Sequence, residues 1–348
     1  MLPAPYNQTV CVSGSRLAWN ERGIALIITL WVIIILGITA TYFSRGIRGE
    51  AYIVRNFEAS ERAKLLALAG VHHALAYLSR STEEGMEIDQ DYLEGTVSEI
   101  DSVPFAGGSY HVMVTDEESK ININEASREI IRDLMIGYGL SSAKSDSLSD
   151  AIIDWRDRDD DPMVNGAESR YYLSLNPPYS SKNLNLDSLE ELLLVRGFTP
   201  ELLYGNEASA DSGQGFARLL TVYGRGKVNI NTASRAVLEA LPGVDEQSAQ
   251  FIVAGREAID YTPLTKHEFI RYLQELNPGQ ENEPEYQALQ RLADSKSYHF
   301  TIVSRGRVDR GGLEKRLKVV VYRSVLGSRV NIRVFSWNEF DPAGKTGS

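Results

Sequence analysis

The stretch that decides the fold reads IALIITLWVIIILGITATYF, from Ile24 to Phe43, and it directly follows Arg22 and Gly23. A helix of this uncharged length rises about 30 Å, which is enough to cross the hydrocarbon core of a membrane. A secretory signal is the plainer alternative, but its apolar region spans only about 7 to 15 residues and ends at a small-residue cleavage site. The sequence therefore predicts a retained transmembrane helix at 24–43.

Helical periodicity continues beyond the apolar segment. No proline occurs between Ile24 and Val103, so the helix is predicted to continue past the membrane and into a soluble body. Apolar residues recur on one side at helical spacing, which predicts the face that packs against this body. These residues are Val54, Phe57, Leu65, Leu68 and Leu75.

Composition limits the classes of function. The 348 residues are 43% apolar and 24% charged, which suffices for about two domains with their own cores and excludes a disordered chain. With 36 basic and 47 acidic residues the formal net charge is -11, which disfavours DNA binding without a local basic patch. Cys11 is the only cysteine, so the chain after it has neither a disulfide nor a thiolate metal ligand.

Short runs with β character lie on both sides of a long helical region. Helical patterns fill the space between them, so the element order predicts an α+β fold with a large helical insertion. A tail rich in Gly, Pro and Lys follows and is predicted to be disordered. The β-like runs are Tyr110 to Thr115, Phe216 to Tyr223, Tyr298 to Arg305, Leu317 to Tyr322 and Val330 to Phe335.

One segment occurs twice. KININEASR at 120–128 and KVNINTASR at 227–235 are identical at seven of nine positions, and each predicts an Asn turn followed by a serine that caps a helix. The helix, Pro-Gly turn and helix after the second copy resemble a helix-hairpin-helix unit, which holds a DNA phosphate at a helix start. Asp245 stands where that phosphate would lie. Both units are therefore predicted to be scaffolding.

Negative charge is concentrated in one region. Between Asp116 and Glu168 acidic residues outnumber basic residues by 14 to 6, and they are densest in AIIDWRDRDDDPMVNGAESRYYL at 151–173. Such a concentration predicts a bound counter-ion. The alternative is a solvated acidic loop that Arg156 and Arg158 neutralise in part.

The spacing of the acidic residues resembles a calcium loop. Counted from Asp157, oxygen-bearing residues fall at the ligand positions of an EF-hand, but Pro162 stands at the sixth position, where the turn demands glycine. An EF-hand is therefore not expected. Oxygen ligands without cysteines or paired histidines still favour Ca²⁺ over zinc or copper. The candidate calcium ligands are Asp154, Asp157, Asp159, Asp161 and Glu168.

Together these features resemble the minor pseudopilin K family of type II secretion systems, also called general secretion pathway protein K. The resemblance runs from about Arg22 to Arg323 and rests on the glycine before the apolar helix, the acidic D-W-R-D loop with N-G-A-E, and the two N-I-N-x-A-S-R segments. It implies that prepilin peptidase cuts between Gly23 and Ile24, and that the new terminus is methylated.

One departure from most pseudopilins is informative. Ile28 stands at the fifth position of the mature chain, where most pseudopilins carry a glutamate that is thought to pair with the neighbouring subunit's terminal amine. A subunit with no neighbour above it has no use for this carboxylate, and burying it unpaired in lipid costs about 3 kcal/mol. The resemblance therefore implies a position at the tip of an assembly.

The resemblance also implies the fold and the partners. It predicts a type IV pilin-like core, a long helix on an antiparallel sheet, with an inserted helical domain that contains the helix-hairpin-helix-like units and binds calcium. It implies a tip complex with minor pseudopilins I and J, which initiates and caps the periplasmic pseudopilus. Further contacts are expected with pseudopilin H, the major pseudopilin G and the assembly platform. The chain is then a single-pass inner-membrane protein with a periplasmic body and no nucleic-acid partner.

The expected domains follow from these assignments. They are a prepilin leader 1–23, a transmembrane helix 24–43, the rest of the long helix with the first sheet strands 44–115, an inserted helical domain with the acidic loop 116–215, a strand 216–224, a second helix-hairpin-helix-like part 225–294, C-terminal strands 295–338 and a disordered tail 339–348.

Two other classes of function fit the sequence less well. An enzyme is not expected, because the chain has no P-loop, H-E-x-x-H, G-x-S-x-G or nucleotide-binding glycine motif, and its histidines are scattered. The alternative is a membrane-anchored DNA receptor of the competence type, which uses helix-hairpin-helix units. That function needs basic residues beside the hairpins and a glycine in place of Asp245.

Overall fold

The first element is one long helix, α1, from Glu21 to Leu78. The computed structural model describes residues 21–80, 97–205, 215–256, 263–276, 284–309, 312–326 and 329–340. Residues 1–20 of the predicted leader and residues 341–348 of the predicted tail lie outside the described part. The chain divides into two compact units, residues 1–58 and 59–348.

The N-terminal unit contains the apolar segment. Within the described residues, Ala25–Phe43 is the one helical stretch long and apolar enough to cross a membrane, with a mean hydropathy of 2.4, and none of it is buried in the protein. The hydroxyl of Thr41 donates to Gly37 O at 2.7 Å. This hydrogen bond satisfies the polar atom inside the helix, as an apolar environment requires.

In the second unit, the last turns of α1 pack on the sheet, and the predicted packing face is correct only in part. Leu68 and Leu75 are half-buried against the sheet core, whereas Leu65 is 62% exposed. Val54 and Phe57 belong to the first unit and are exposed. The buried positions repeat at helical spacing and are mostly small. They are Ala63, Ala67, Val71, Ala74 and Leu78.

Small residues on both sides explain this choice of face. An added Cβ on Gly306 of the sheet would lie 2.1 Å from Ala63 O, and one on Gly70 of α1 would lie 2.3 Å from the Ser304 hydroxyl. The helix and the sheet therefore approach so closely that no larger side chain fits between them. Apolar periodicity alone does not reveal such a contact, because it weights large residues most.

The sheet has five antiparallel strands in the order β1-β2-β7-β8-β9. The last three strands return to the sheet beside β2 after the whole helical region, as the element order predicts. Residues facing α1, such as Val112, Ile302 and Val319, are fully buried. The strands are β1 Val97–Phe105, β2 Gly108–Asp116, β7 His299–Val308, β8 Glu314–Leu326 and β9 Arg329–Phe340.

The helical region between β2 and β7 has its own core, in which Trp155, Tyr172 and Tyr286 are the largest buried side chains. Its helices are at most 15 residues long. They are α2 Arg128–Gly137, α3 Ser142–Arg156, α4 Ser169–Tyr172, α5 Pro200–Tyr204, α6 Arg235–Glu239, α7 Glu246–Arg256, α8 Lys266–Leu276 and α9 Pro284–Leu292.

Two predicted ranges need correction. In the range 216–224, Phe216–Arg218 is a 3₁₀ turn and only Leu220–Thr221 is a strand, β4, because Phe216 and Leu220 are buried in the helical core. Gly224 follows with a φ of 90°, which ends the extended segment. At the C-terminus, β9 continues to Phe340, so positions 339 and 340 belong to the sheet and not to the predicted tail.

The repeated segment forms the same structure twice. In the first copy, Ile121–Asn122 is strand β3 and pairs with β4, whereas in the second Val228–Asn229 is β5 and pairs with β6, Ala293–Asp294. Both pairs are parallel. The sequence repeat is therefore a structural repeat as well.

Equivalent side chains make equivalent hydrogen bonds in the two copies. Asn124 binds the backbone of Leu186 through both amide atoms, at 2.8 and 2.9 Å, and Asn231 binds Leu264 in the same way, at 2.9 and 3.0 Å. These amides replace the backbone partners that each segment lacks.

An arginine closes each copy from the end of its second helix. Arg156 of α3 donates to the carbonyls of Ile123 and Ala126, and Arg256 of α7 donates to those of the corresponding Ile230 and Ala233. A single guanidinium thus satisfies two carbonyls at the start of each helical pair.

Three consecutive acidic residues join the sheet to the helical region. Asp116 accepts hydrogen bonds from the hydroxyls of Thr232 and Ser297, and Glu118 accepts from the backbone N–H of His299 at 2.8 Å. Burial and the nearby charge of Glu118 raise the pKa of Asp116 to about 7. The end of β2 is therefore tied to segments that are more than a hundred residues away.

Candidate metal centre

The acidic loop begins and ends on helices. Asp154 lies in the last turn of α3, and Asp157 follows the helix as its C-cap, with its N–H donating to Ile153 O at 2.9 Å. Glu168 is the N-cap of α4 and accepts from Ser169 N at 3.3 Å. The two helix ends hold these side chains at fixed positions on either side of the loop.

Three carboxylates converge there. Asp154, Asp157 and Glu168 each present one oxygen, and these oxygens all lie within 4.8 Å of one another. Asp154 and Glu168 are buried, and Asp157 is half-buried. We call this set the carboxylate triad.

The hydrogen bonds of the triad leave two oxygens without partners. Asp154 accepts from Met163 N at 3.1 Å, and Glu168 Oε2 accepts from the Ser181 hydroxyl at 3.0 Å. In contrast, Asp157 Oδ1 and Glu168 Oε1 are buried and have no hydrogen-bond partner among the described residues. Buried acceptors are nearly always paired, so these two oxygens suit a cation.

The electrostatics of the triad lead to the same conclusion. Burial, supplemented by the neighbouring carboxylates, raises the pKa of Asp154 to about 6 and that of Glu168 to about 7. Burial and Asp159 also raise the pKa of Asp157. Three close carboxylates are costly to ionise without a positive partner, and a divalent cation removes that cost.

The neighbouring arginines do not supply this partner. Arg156 points to the carbonyls of the repeated segment, and burial lowers its pKa. In the described part of the chain, neither Arg156 nor Arg158 forms an ion pair with the triad. The charge of Arg156 still lowers the pKa of Asp157 against the effect of burial, so the predicted neutralisation is seen only in part and without an ion pair.

The structure brings together three of the five predicted ligands. Asp159 and Asp161 are exposed and lie outside the triad, with the N–H of Asp161 donating to Asp159 Oδ1 at 3.0 Å. Asn183 fixes this outer part of the loop by donating to Asp159 O at 3.0 Å. The outer carboxylates therefore face solvent.

Two residues that the sequence analysis did not select support the triad. An added Cβ on Gly166 would lie 2.0 Å from Asp154 Oδ2, so only glycine fits there. Asp150 is buried one turn before Asp154 and accepts from Asn165 N at 3.0 Å, which holds the return of the loop. Two features of the sequence point to these residues. Asp150 and Asp154 are spaced to lie on one helix face, and Gly166 follows Asn165 in an Asn-Gly turn pair.

The predicted processing junction lies at the other end of the chain. Gly23 and Ile24 are in the first turn of α1, directly before the membrane-length segment. Both residues are therefore remote in sequence from the carboxylate triad.

Comparison with known proteins agrees with the fold. The family model described as "Type II secretion system (T2SS), protein K" matches residues 111–208, a range that contains the triad. Type II secretion system protein K of Pseudomonas aeruginosa is 27% identical over 282 residues, which cover 74% of this chain and 78% of that protein. The protein of the same name from Klebsiella pneumoniae is 24% identical over 201 residues, covering 53% and 60%.

A solved structure extends the similarity to nearly the whole fold. A chain in the crystal structure of the GspK-GspI-GspJ complex from enterotoxigenic Escherichia coli matches with a TM-score of 0.60 at 18% identity. The match covers 85% of this chain and 99% of that chain. Family model, relatives and fold thus agree that this chain is similar to type II secretion system protein K.

Proposed function

We propose that this chain is a minor pseudopilin of a type II secretion system, and that it joins pseudopilins I and J in a complex at the tip of the periplasmic pseudopilus. The observation that carries the proposal is the fold: the sheet with its helical insertion matches 99% of a chain from a GspK-GspI-GspJ complex. In this role the complex initiates assembly of the pseudopilus and caps it during protein export.

The N-terminal segment fits this role. The helix from Ala25 to Phe43 anchors the chain in the inner membrane once, with the second unit in the periplasm. Prepilin peptidase removes the leader after Gly23, and the new terminus at Ile24 is methylated. Ile28 leaves no carboxylate to attract another subunit from above, which favours the tip over the shaft. Pseudopilins H and G and the assembly platform are the further partners of this proposal.

Calcium is the cation that suits the carboxylate triad best. Asp154, Asp157 and Glu168 offer hard oxygen ligands, and Asp157 Oδ1 and Glu168 Oε1 have no other partner among the described residues. Asp159 and Asp161 lie on the same loop and can add ligands if the loop closes over the ion. A bound ion neutralises the triad and ties the end of α3 to the start of α4.

No observation favours the alternative of a DNA receptor, and one disfavours it. The Asp245 side chain accepts from Ser248 N at 2.8 Å and thereby caps α7. Hydrogen bonding with Ser248 lowers the pKa of Asp245, so a negative charge stands where a phosphate would have to bind. We therefore expect no salt-sensitive DNA binding in a gel-shift series at low salt, and we expect no catalytic activity.

The partner proposal is tested by co-purification. The full-length chain carries an affinity tag and is co-expressed with pseudopilins I and J, and the membranes are dissolved in a neutral detergent. We expect the three proteins to elute together in equal amounts, whereas an unrelated single-pass membrane protein with the same tag retains neither. Failure of I and J to associate at micromolar concentrations would contradict the tip complex.

The calcium proposal has a separate test. At a calcium concentration about 100 times Kd, binding stabilises a protein by about 2.7 kcal/mol, which corresponds to a rise in Tm of about 5 °C or more. We expect this rise between EGTA and calcium for the full-length chain, and no rise for Asp154→Asn or Glu168→Gln. The control Asp133→Asn, an exposed acidic residue outside the triad, keeps the rise.

Terbium gives a second readout that does not depend on stability. Tb³⁺ occupies calcium sites, and Trp155, next to Asp154 in the chain, is close enough to transfer excitation energy to it. We expect terbium emission on excitation of tryptophan, which calcium displaces and which Asp154→Asn abolishes. Equal emission from the wild type and from Asp154→Asn would count against a metal at the triad.

A further inference from the structure

The two faces of the sheet differ in what covers them. Gly306 of β7 faces α1, where an added Cβ would lie 2.1 Å from Ala63 O. Arg305 and Arg307 lie on the opposite face, because successive side chains of a strand point to opposite sides. Both arginines are exposed. This end of the outer face is therefore open to solvent.

Four cationic side chains lie side by side on this open face. Arg305 of β7 is directly opposite Arg316 of β8 in the strand register. Arg307 lies two residues from Arg305 along β7, and Lys318 lies two residues from Arg316 along β8. Neighbours are thus about 5 Å apart across the strands and about 7 Å apart along them. We call Arg305, Arg307, Arg316 and Lys318 the cationic face.

The cationic face has fewer counter-charges than cations. Arg316 Nε donates to Glu314 at 2.9 Å, and Glu314 lies directly opposite Arg307 in the strand register. Among the side chains that the structure describes, no carboxylate forms an ion pair with Arg305, Arg307 or Lys318. Like charges directly opposite each other destabilise a sheet, and here they occur in a chain whose net charge is -11. The excess of positive charge on this face would be offset by an anionic partner.

The surroundings of the four cations indicate what kind of partner fits. Met113 and Val303 are paired in the register and lie half-buried beside Lys318, so the face has an apolar centre. Methionine and arginine are enriched in protein interfaces, and the arginine fork matches a carboxylate. A spacing of about 7 Å also equals the distance between alternate side chains of an extended chain.

We propose that the cationic face binds an acidic segment of another protein. Carboxylates on alternate residues of that segment pair with the arginines, and its apolar atoms contact Met113 and Val303. A phospholipid surface attracts positive charge with little regard to its spacing, so the ordered arginines and the apolar centre favour a protein. This inference goes beyond the proposed function and needs neither calcium nor pseudopilins I and J.

The test uses the full-length chain in neutral detergent and a fluorescein-labelled peptide of alternating glutamate and threonine. Binding is followed by fluorescence anisotropy, with a glutamine-threonine peptide as the uncharged control. We expect Arg305→Glu combined with Arg307→Glu to weaken binding by about tenfold or more. The matched control combines Arg329→Glu with Arg333→Glu, two exposed positions of β9, and makes the same change in net charge.

Each outcome separates one explanation from the others. Loss of binding in the Arg305/Arg307 variant, with full binding in the Arg329/Arg333 control and unchanged Tm in both, supports the proposal. Equal loss in both variants would show a general charge effect and would overturn it. Peptide binding that survives the Arg305/Arg307 reversal, while binding to phosphatidylglycerol vesicles is lost, would assign the face to lipid. A change in oligomeric state of the chain alone would assign it to a second copy.

Discussion

Gly166 is the residue on which the geometry of the carboxylate triad depends most. Its missing side chain leaves the space that Asp154 occupies, since an added Cβ would lie 2.0 Å from Asp154 Oδ2 and 2.7 Å from its Cγ. We expect Gly166→Ala to displace the Asp154 carboxylate and to abolish the rise in Tm with calcium. Differential scanning calorimetry with EGTA and with calcium measures this effect.

The control for this change is another glycine. Gly255 lies in α7, and no atom lies within 4 Å of a Cβ added there. Gly255→Ala should keep the full calcium response and add about 0.5 to 1 kcal/mol of stability, as expected for alanine in a helix. If Gly166→Ala showed the same rise in Tm with calcium as the wild type, calcium binding would not depend on the position of the Asp154 carboxylate.

Asp116 is the second residue with a measurable consequence, because burial and Glu118 raise its pKa to about 7. The unfolded chain ionises this carboxyl near pH 4, so the folded state binds the proton more tightly. The resulting stability is fully present below about pH 4 and is lost as the pH rises through about 7. We expect the wild type to lose on the order of 4 kcal/mol of unfolding free energy from this group across that window.

Asp116→Asn removes the titration and keeps an acceptor for Glu118 N, which Asp116 binds at 2.9 Å. Denaturant unfolding at pH 5 and pH 8 should therefore show a smaller loss of stability for the variant than for the wild type. Since calcium binding to the carboxylate triad also depends on pH, both proteins are compared in EGTA. Parallel pH profiles for the two proteins would mean that Asp116 titrates normally.

At the scale of elements, the two copies of the repeated segment are held by the arginines that end α3 and α7. Arg256 satisfies the carbonyls of Ile230 and Ala233, and removing it leaves both without this donor. We expect Arg256→Met to cost about 2 to 4 kcal/mol, on the basis of about 1 to 2 kcal/mol for each lost partner. Arg271→Met on the exposed surface of α8 should change stability by less than about 0.5 kcal/mol.

Lysine at position 256 gives a sharper test of the same contact. An ammonium group lacks the planar fork that reaches two carbonyls at once, so Arg256→Lys should recover only part of the loss. Urea unfolding in EGTA measures all three variants. Full recovery by lysine would show that the charge, and not the fork, holds the segment.

The elements differ in how well their sequence predicts them. Strands β2, β7, β8 and β9 and the two repeats follow from alternation and from local turn chemistry, which act within a few residues. The full packing face of α1 cannot be predicted in this way. The contact between Ala63 and Gly306 depends on the close approach of chain segments that are far apart in sequence. The triad has the same limit: spacing selected Asp154, Asp157 and Glu168, but the contact with Gly166 arises only from the folded loop.

At the scale of the whole second unit, the helical insertion and the sheet share one set of buried contacts. Asp116 leaves β2 and binds Thr232 and Ser297, while His299 at the start of β7 binds Glu118. The insertion is therefore fixed to the strands on both sides of it. Stabilising one part should stabilise the other, since residues 59–348 form one compact unit.

Hydrogen exchange, measured with and without calcium, tests this coupling between the insertion and the sheet. At a calcium concentration about 100 times Kd, amides that exchange only through global unfolding should slow by about 100-fold, whether or not they lie near the ion. We expect this slowing in β7 and β8 as well as in α3, and none of it in Asp154→Asn. Protection confined to the loop between α3 and α4 would show that the insertion unfolds independently, and that calcium in the triad does not reach the sheet.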